Sequence, residues 1–161
     1  MISEHYKQWR DFVRAGDYDQ ANIFLSSIAA EYHRDLDYSY CLVHVNRKLN
    51  ELDRAEEICK EALKAFPDAH QLNYECGLIY QAKQEYIKAI KYLKAAVDTK
   101  EQLSLNDALD YLNSLALTWR MYGDMNGAMV FYNQALEKLA QEIYTDIVTH
   151  AFRITDMRGG G

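Results

Sequence analysis

Small and apolar residues recur along this chain with a long period as well as a helical one. Ala21, Ala55, Ala89 and Ala128 lie in the same local pattern and are separated by 34, 34 and 39 residues. Alignment on them brings other columns into line. Leu25, Cys59, Leu93 and Tyr132 share a position, as do Ile28, Ala62, Ala96 and Ala135, and Tyr18, Leu52, Tyr86 and Met125. Upstream, Phe12, Asn46, Tyr80 and Trp119 form one column and Trp9, Val43, Gly77 and Ala116 another. A fixed period of this length, with helical spacing inside it, marks a repeated unit that buries its apolar face only by stacking on its neighbours. The pattern predicts two helices joined by a short turn in every unit.

The turns can be read from their punctuation. Gly16 and Gly123 supply the left-handed residue that ends a first helix, and Asp17, Asp53 or Asp124 is placed to cap the second. Residues 104–108 are an insertion, in which Ser104 and Asp107 have the spacing of a capping box that opens a longer helix. A local change in the repeat stacking is expected there. Pro67 falls at the end of the second unit, where it stops a helix.

These residues resemble the tetratricopeptide repeat family, whose unit carries large, small and aromatic residues and alanines at fixed offsets. The third unit fits best, with Gly77, Tyr80, Tyr86, Ala89, Leu93 and Ala96 in family positions. The resemblance implies an all-α, right-handed α-solenoid of about four helix-turn-helix units, at 2–35, 36–69, 70–103 and 109–142, followed by a capping helix at 142–157. All of these form a single domain over 1–158, and the glycines at 159–161 read as a cloning remnant. Trp9 and Val43 replace the usual small residue, which predicts wider spacing of the paired helices in units one and two. Asn46 stands where an aromatic is expected.

Charge and chemistry narrow the function by exclusion. A net charge of −6 disfavours nucleic-acid binding, which needs a concentrated basic face. No apolar run is of spanning length and no cationic, apolar leader occupies 1–10, so no membrane association and a cytoplasmic location are expected. Cys41, Cys59 and Cys76 have no paired spacing and read as small buried hydrophobes. The five histidines form no metal-binding motif, and no phosphate loop or nucleophile elbow is present. The expectation is a protein without enzymatic activity, cofactor or metal.

Recognition remains. Tyr6, Tyr40 and Tyr74 recur 34 residues apart, with Asn113 in the fourth unit. The resemblance places this column on the first helix of each unit, facing a concave groove. The next column reads Arg10, His44, Leu78 and Leu117, and beyond it lie Arg14, Arg47, Lys48, Gln81 and Arg120. Tyrosine pairs a large apolar face with a polar tip at small entropy cost, which suits a peptide-binding surface. The expected ligand is a peptide segment of a partner protein, with an acidic group near the basic residues of units one and two and apolar side chains near Leu78 and Leu117. Packing of the same tyrosines against neighbouring units is the plainer alternative. The carboxylate clamp of chaperone-binding members is absent: its places carry Tyr6 and Arg10, then His44, then Gln71 and Glu75.

Two other functions stay open. The segment 142–157 places Ile143, Ile147, Ala151 and Ile154 at helical spacing, an apolar stripe wide for a cap. An assembly scaffold would use that stripe for self-association. Chaperones of type III secretion translocators are similar in size, acidity and tyrosine-lined groove.

Overall fold

The structure, a computed structural model, describes residue 1 and residues 3–158, with side chains described through residue 149. The expected start of the first repeat at Ile2, the side chains of Ala151, Phe152 and Ile154, and the expected remnant at 159–161 lie outside the described residues. Among the described residues there are eight helices and no strand: α1 (Ser3–Ala15), α2 (Tyr18–Tyr32), α3 (Leu36–Lys48), α4 (Leu52–Ala65), α5 (His70–Ala82), α6 (Tyr86–Val97), α7 (Leu105–Tyr122) and α8 (Met125–Arg158). The architecture is an all-α helical-repeat solenoid in which each odd helix pairs with the even helix that follows it. Where the sequence suggests one domain, the helices gather into two compact units, one over Met1–Glu101 and one beginning at Gln102. The boundary falls beside the insertion that lengthens the repeat spacing.

The turns explain why the columns stay in register. In each hairpin the amide five residues beyond a fixed column position bonds back to it: Asp17 N to Phe12 O, Glu51 N to Asn46 O, Glu85 N to Tyr80 O and Asp124 N to Trp119 O, at 2.9–3.0 Å. A second bond spans three residues inside it, as from Gly16 N to Val13 O. The shorter bond is donated by a residue with positive φ and the longer one by the residue after it, so together they close the last turn of the first helix. Gly16 and Gly123 fill that place at φ 74° and 102°, as their spacing predicts, whereas Asn50 and Gln84 fill it at φ 61° in the middle hairpins. Asp17 accepts from Gln20 N at 3.1 Å and Asp124 from Gly127 N at 2.9 Å, so both cap the helix that follows. Asp53 does not cap. It lies inside the first turn of α4, where it instead receives Lys83 Nζ at 2.6 Å. Ser104 begins α7 as expected, accepting from Asp107 N at 3.1 Å while its hydroxyl donates to the Asp107 carboxylate at 2.6 Å.

The alanine columns are the core. Ala21, Ala55, Ala89 and Ala128 are completely buried, as are Leu25, Cys59 and Leu93 in the neighbouring column. Two helices approach closely at Gly77, where a Cβ would stand 2.5 Å from Leu93 Cγ, so α5 and α6 meet through a residue with no side chain. Cys41, Cys59 and Cys76 are buried free thiols on α3, α4 and α5. Burial pushes the Cys41 thiol well above its ordinary pKa, and Cys59, hydrogen-bonded to Cys76 and buried, is raised further. Asn46, in the aromatic column, is fully buried; its Nδ2 donates to Leu42 O at 2.7 Å, while its Oδ1 has no protein partner. Tyr80 fills the same column one repeat later. Its ring stacks on Tyr92 at 5.4 Å, and its hydroxyl donates to Glu56 at 2.9 Å.

The last helix departs from expectation. No break separates the second helix of the fourth unit from the segment 142–157; α8 is one helix of 34 residues. Residues 137–149 contain neither proline nor glycine, so nothing in them stops a helix already under way. At 1.5 Å per residue α8 is about 50 Å long against about 27 Å for α7, so antiparallel pairing leaves nearly its C-terminal half without a neighbour in α7.

Candidate functional site

In the first unit the face that carries the tyrosine column is formed by α1, α3 and α5, which pack side by side. Tyr6, Tyr40 and Tyr74 are each half-buried there, one per helix. Trp9, read from the sequence as a spacer, is the centre of an aromatic cluster. Its ring is buried, 5.3 Å from Tyr6, 6.0 Å from Tyr40 and 5.7 Å from His44 between centroids, the last two edge to face. Tyr40 and His44 are themselves 5.9 Å apart. Aromatic contacts of this geometry fix each ring against its neighbour.

Beneath the cluster lies a buried ion group that the sequence did not reveal. Glu75 is 2% exposed, yet it carries two partners from α3. Arg47 donates through Nε to Oε2 at 2.6 Å and through Nη2 to Oε1 at 3.3 Å, while His44 Nδ1 stands 2.9 Å from Oε1. Burial works against the Glu75 charge, but the hydrogen bond from His44 and the charge and hydrogen bonds of Arg47 hold its carboxyl below the ordinary glutamate value. Burial likewise opposes the Arg47 charge, and Glu75 outweighs it, so the guanidinium is held above its ordinary value. With Glu75 ionised and accepting, His44 Nδ1 is the protonated nitrogen of the ring. His44 Nε2 and Trp9 Nε1 are buried polar atoms with no protein partner at the base of the same cluster.

This arrangement changes the roles expected of the basic residues. Arg47, expected to meet an acid on a ligand, has its charge taken by Glu75, to which it makes two charge-assisted hydrogen bonds. Lys48 is exposed and stands 6.0 Å over the Tyr18 ring of α2, on the second-helix side of the hairpin. Arg10 remains an exposed cation on α1, one turn from Tyr6. Leu78 and Gln81 on α5 are half-buried. In the second unit Asn113, Leu117 and Arg120 fall on one face of α7, with Leu117 half-buried between two exposed polar residues. Among the described residues no three metal-ligating side chains converge, and no helix is long and apolar enough to cross a membrane.

Comparison with known proteins agrees with the repeat architecture. Residues 70–103 match the family model described as tetratricopeptide repeat. The TPR repeat-containing protein MJ1428 of Methanocaldococcus jannaschii is 30% identical over 142 residues, which is 81% of this chain and 23% of that protein. The chain therefore spans about a quarter of the length of the curated relative it matches. Among solved structures, TTC0263, a thermophilic TPR protein in Thermus thermophilus, superposes with a TM-score of 0.73 at 21% identity, covering 91% of this chain and 78% of that one. MamA superposes with a TM-score of 0.72 at 19% identity, covering 87% and 79%. At these identities the structural likeness concerns the fold alone.

Proposed function

Because this chain belongs to the tetratricopeptide repeat family, whose fold serves generally as a protein–protein interaction module, we propose that the α1–α3–α5 face of its first unit binds a peptide segment of a partner protein. The observation that carries this reading is the run of rings in which half-buried Tyr6, Tyr40 and His44 surround the buried Trp9, held in place from below by Glu75 and Arg47. A surface fixed before the ligand arrives loses little entropy on binding. The peptide recognised is extended, contributes apolar or aromatic side chains to the tyrosines, and carries an acidic group near Arg10. The face is not a strongly basic one, since Glu75 neutralises Arg47. On α7, Asn113 and Arg120 offer hydrogen bonds to a peptide backbone or carboxylate beside Leu117.

Tyrosine contacts worth roughly 1–2 kcal/mol each, less ordering costs, give an affinity on the order of micromolar. The test is a displayed library of random peptides selected on the whole chain, with affinities of the selected peptides measured by fluorescence anisotropy. Tyr6→Ala with Tyr40→Ala is expected to weaken them by about 100-fold, at two side chains of this strength, while leaving the helical circular dichroism unchanged. Peptides that bind the double variant as tightly as the parent would overturn the assignment.

A further inference from the structure

The most unusual surface of the molecule is on α8. Its first twelve residues, 125–136, contain no Asp, Glu, Lys or Arg, although 26% of the chain is charged. A helix face turned to water normally carries charges. This one exposes Met125, Met129 and Leu136 at 56%, 50% and 63%, and continues with Leu139, Ile143 and Ile147, which are also exposed. The residues that α8 buries, Ala128 and Ala135, lie on a neighbouring face. Val130 and Tyr144 are exposed elsewhere around the helix, but the remaining set forms one line. With half-buried Tyr132, the positions 125, 129, 132, 136, 139 and 143 alternate steps of four and three, the spacing of a two-helix seam.

We propose that α8 pairs with α8 of a second copy of this chain in an antiparallel, two-fold symmetric dimer. The occupant has to be a helix with the same spacing, because a seam of steps four and three closes only against such a helix, and α8 is self-complementary in that sense. The area suffices. Six exposed side chains at roughly 100 Å² each give about 600 Å² per copy and ~1,200 Å² for the dimer, above the ~1,000 Å² of a specific interface.

Orientation follows from charge. A parallel pairing would set Asp146, the next seam position, against its own copy. Antiparallel pairing gives layers that are apolar throughout, with Tyr132 on Leu136, Met129 on Leu139 and Met125 on Ile143 of the second copy. It also lays the stretch 137–146, where Glu137, Glu142 and Asp146 outnumber Lys138, beside the uncharged N-terminal half of the other helix, whose end carries the positive pole of the helix dipole. Ile147 then falls next to the second copy's hairpin turn, where Met121 and Tyr122 are exposed in the single chain.

Sedimentation equilibrium of the full chain is expected to show a monomer–dimer equilibrium. Leu136→Lys and, separately, Ile143→Lys shift it by more than about tenfold toward monomer without loss of helical signal, since both side chains are already exposed. For orientation, chains carrying Met125→Cys and Ile143→Cys are mixed under mild oxidation; cross-links between the two variants should exceed those within either. A chain that remains monomeric at high micromolar concentration overturns the proposal, and so does a dimer indifferent to both lysine variants. Cross-linking chiefly of like with like overturns the antiparallel register.

Discussion

At the scale of single residues, Glu75 shows how a side chain can govern a surface without appearing on it. It ties α3 to α5 through His44 and Arg47, and the aromatic cluster above depends on His44 being held. Its folded pKa lies below the ordinary glutamate value of 4.5, so its contribution to stability is complete above that range and is lost as pH falls through it. Glu56 acts in the same sense. Burial opposes its charge, but hydrogen bonds from Lys60, Lys83 and Tyr80 hold its carboxyl at about 2, which extends the loss toward that pH. The urea midpoint is therefore expected to fall between about pH 5 and pH 3. Glu75→Gln should be less stable than the parent by about 3 kcal/mol at neutral pH, where Arg47 loses its buried counter-charge, and should lose less on acidification. Parallel pH dependence in parent and variant would remove Glu75 from this account. The tyrosine column is legible because equal spacing survives in the sequence. The Glu75 group is not, because its members are 28 and 31 residues apart and meet only when α3 and α5 stack.

At the scale of elements, the four hairpins use one closure and fill its left-handed position with three residue types. Glycine adopts that conformation freely, asparagine tolerates it and glutamine does so only under strain. Gln84→Gly is expected to stabilise the chain by about 0.5–1 kcal/mol, and Gly16→Ala to destabilise it by a similar amount. Chemical denaturation of the two variants checks both signs, and a stabilising Gly16→Ala would show that the turn does not hold φ at its observed value. Hairpin positions are readable from the alanine columns because the turn length is fixed by these backbone bonds. The end of α8 is not, because a stop at residue 142 rests on repeat length alone and the residues there favour continuing the helix. The role of Trp9 is hidden for a related reason: its column sets which residue faces the neighbouring helix, not what else that residue touches across to α3.

At the scale of the whole molecule, repeat architecture means that each hairpin is stabilised mainly by the ones next to it. In the first unit the core comprises two clusters, one built on Trp9, Leu25, Tyr38 and Cys41 and the other on Val43, Cys59, Leu72 and Cys76. The three thiols thus stand on consecutive helices, sealed from solvent and out of reach of reagents while covered, which makes them a native clock for local opening. Alkylation in the absence of denaturant, followed by mass spectrometry, should label Cys41 first, since its cluster is built from α1, α2 and α3 alone, whereas that of Cys59 and Cys76 draws on α3 to α6. Cys59 and Cys76 should follow together at a common slower rate. Equal rates at all three would mean instead that the first unit opens as one block, and that occupying its aromatic face with a peptide would protect even Cys59, on a helix outside that face, from any reagent that waits for the fold to breathe.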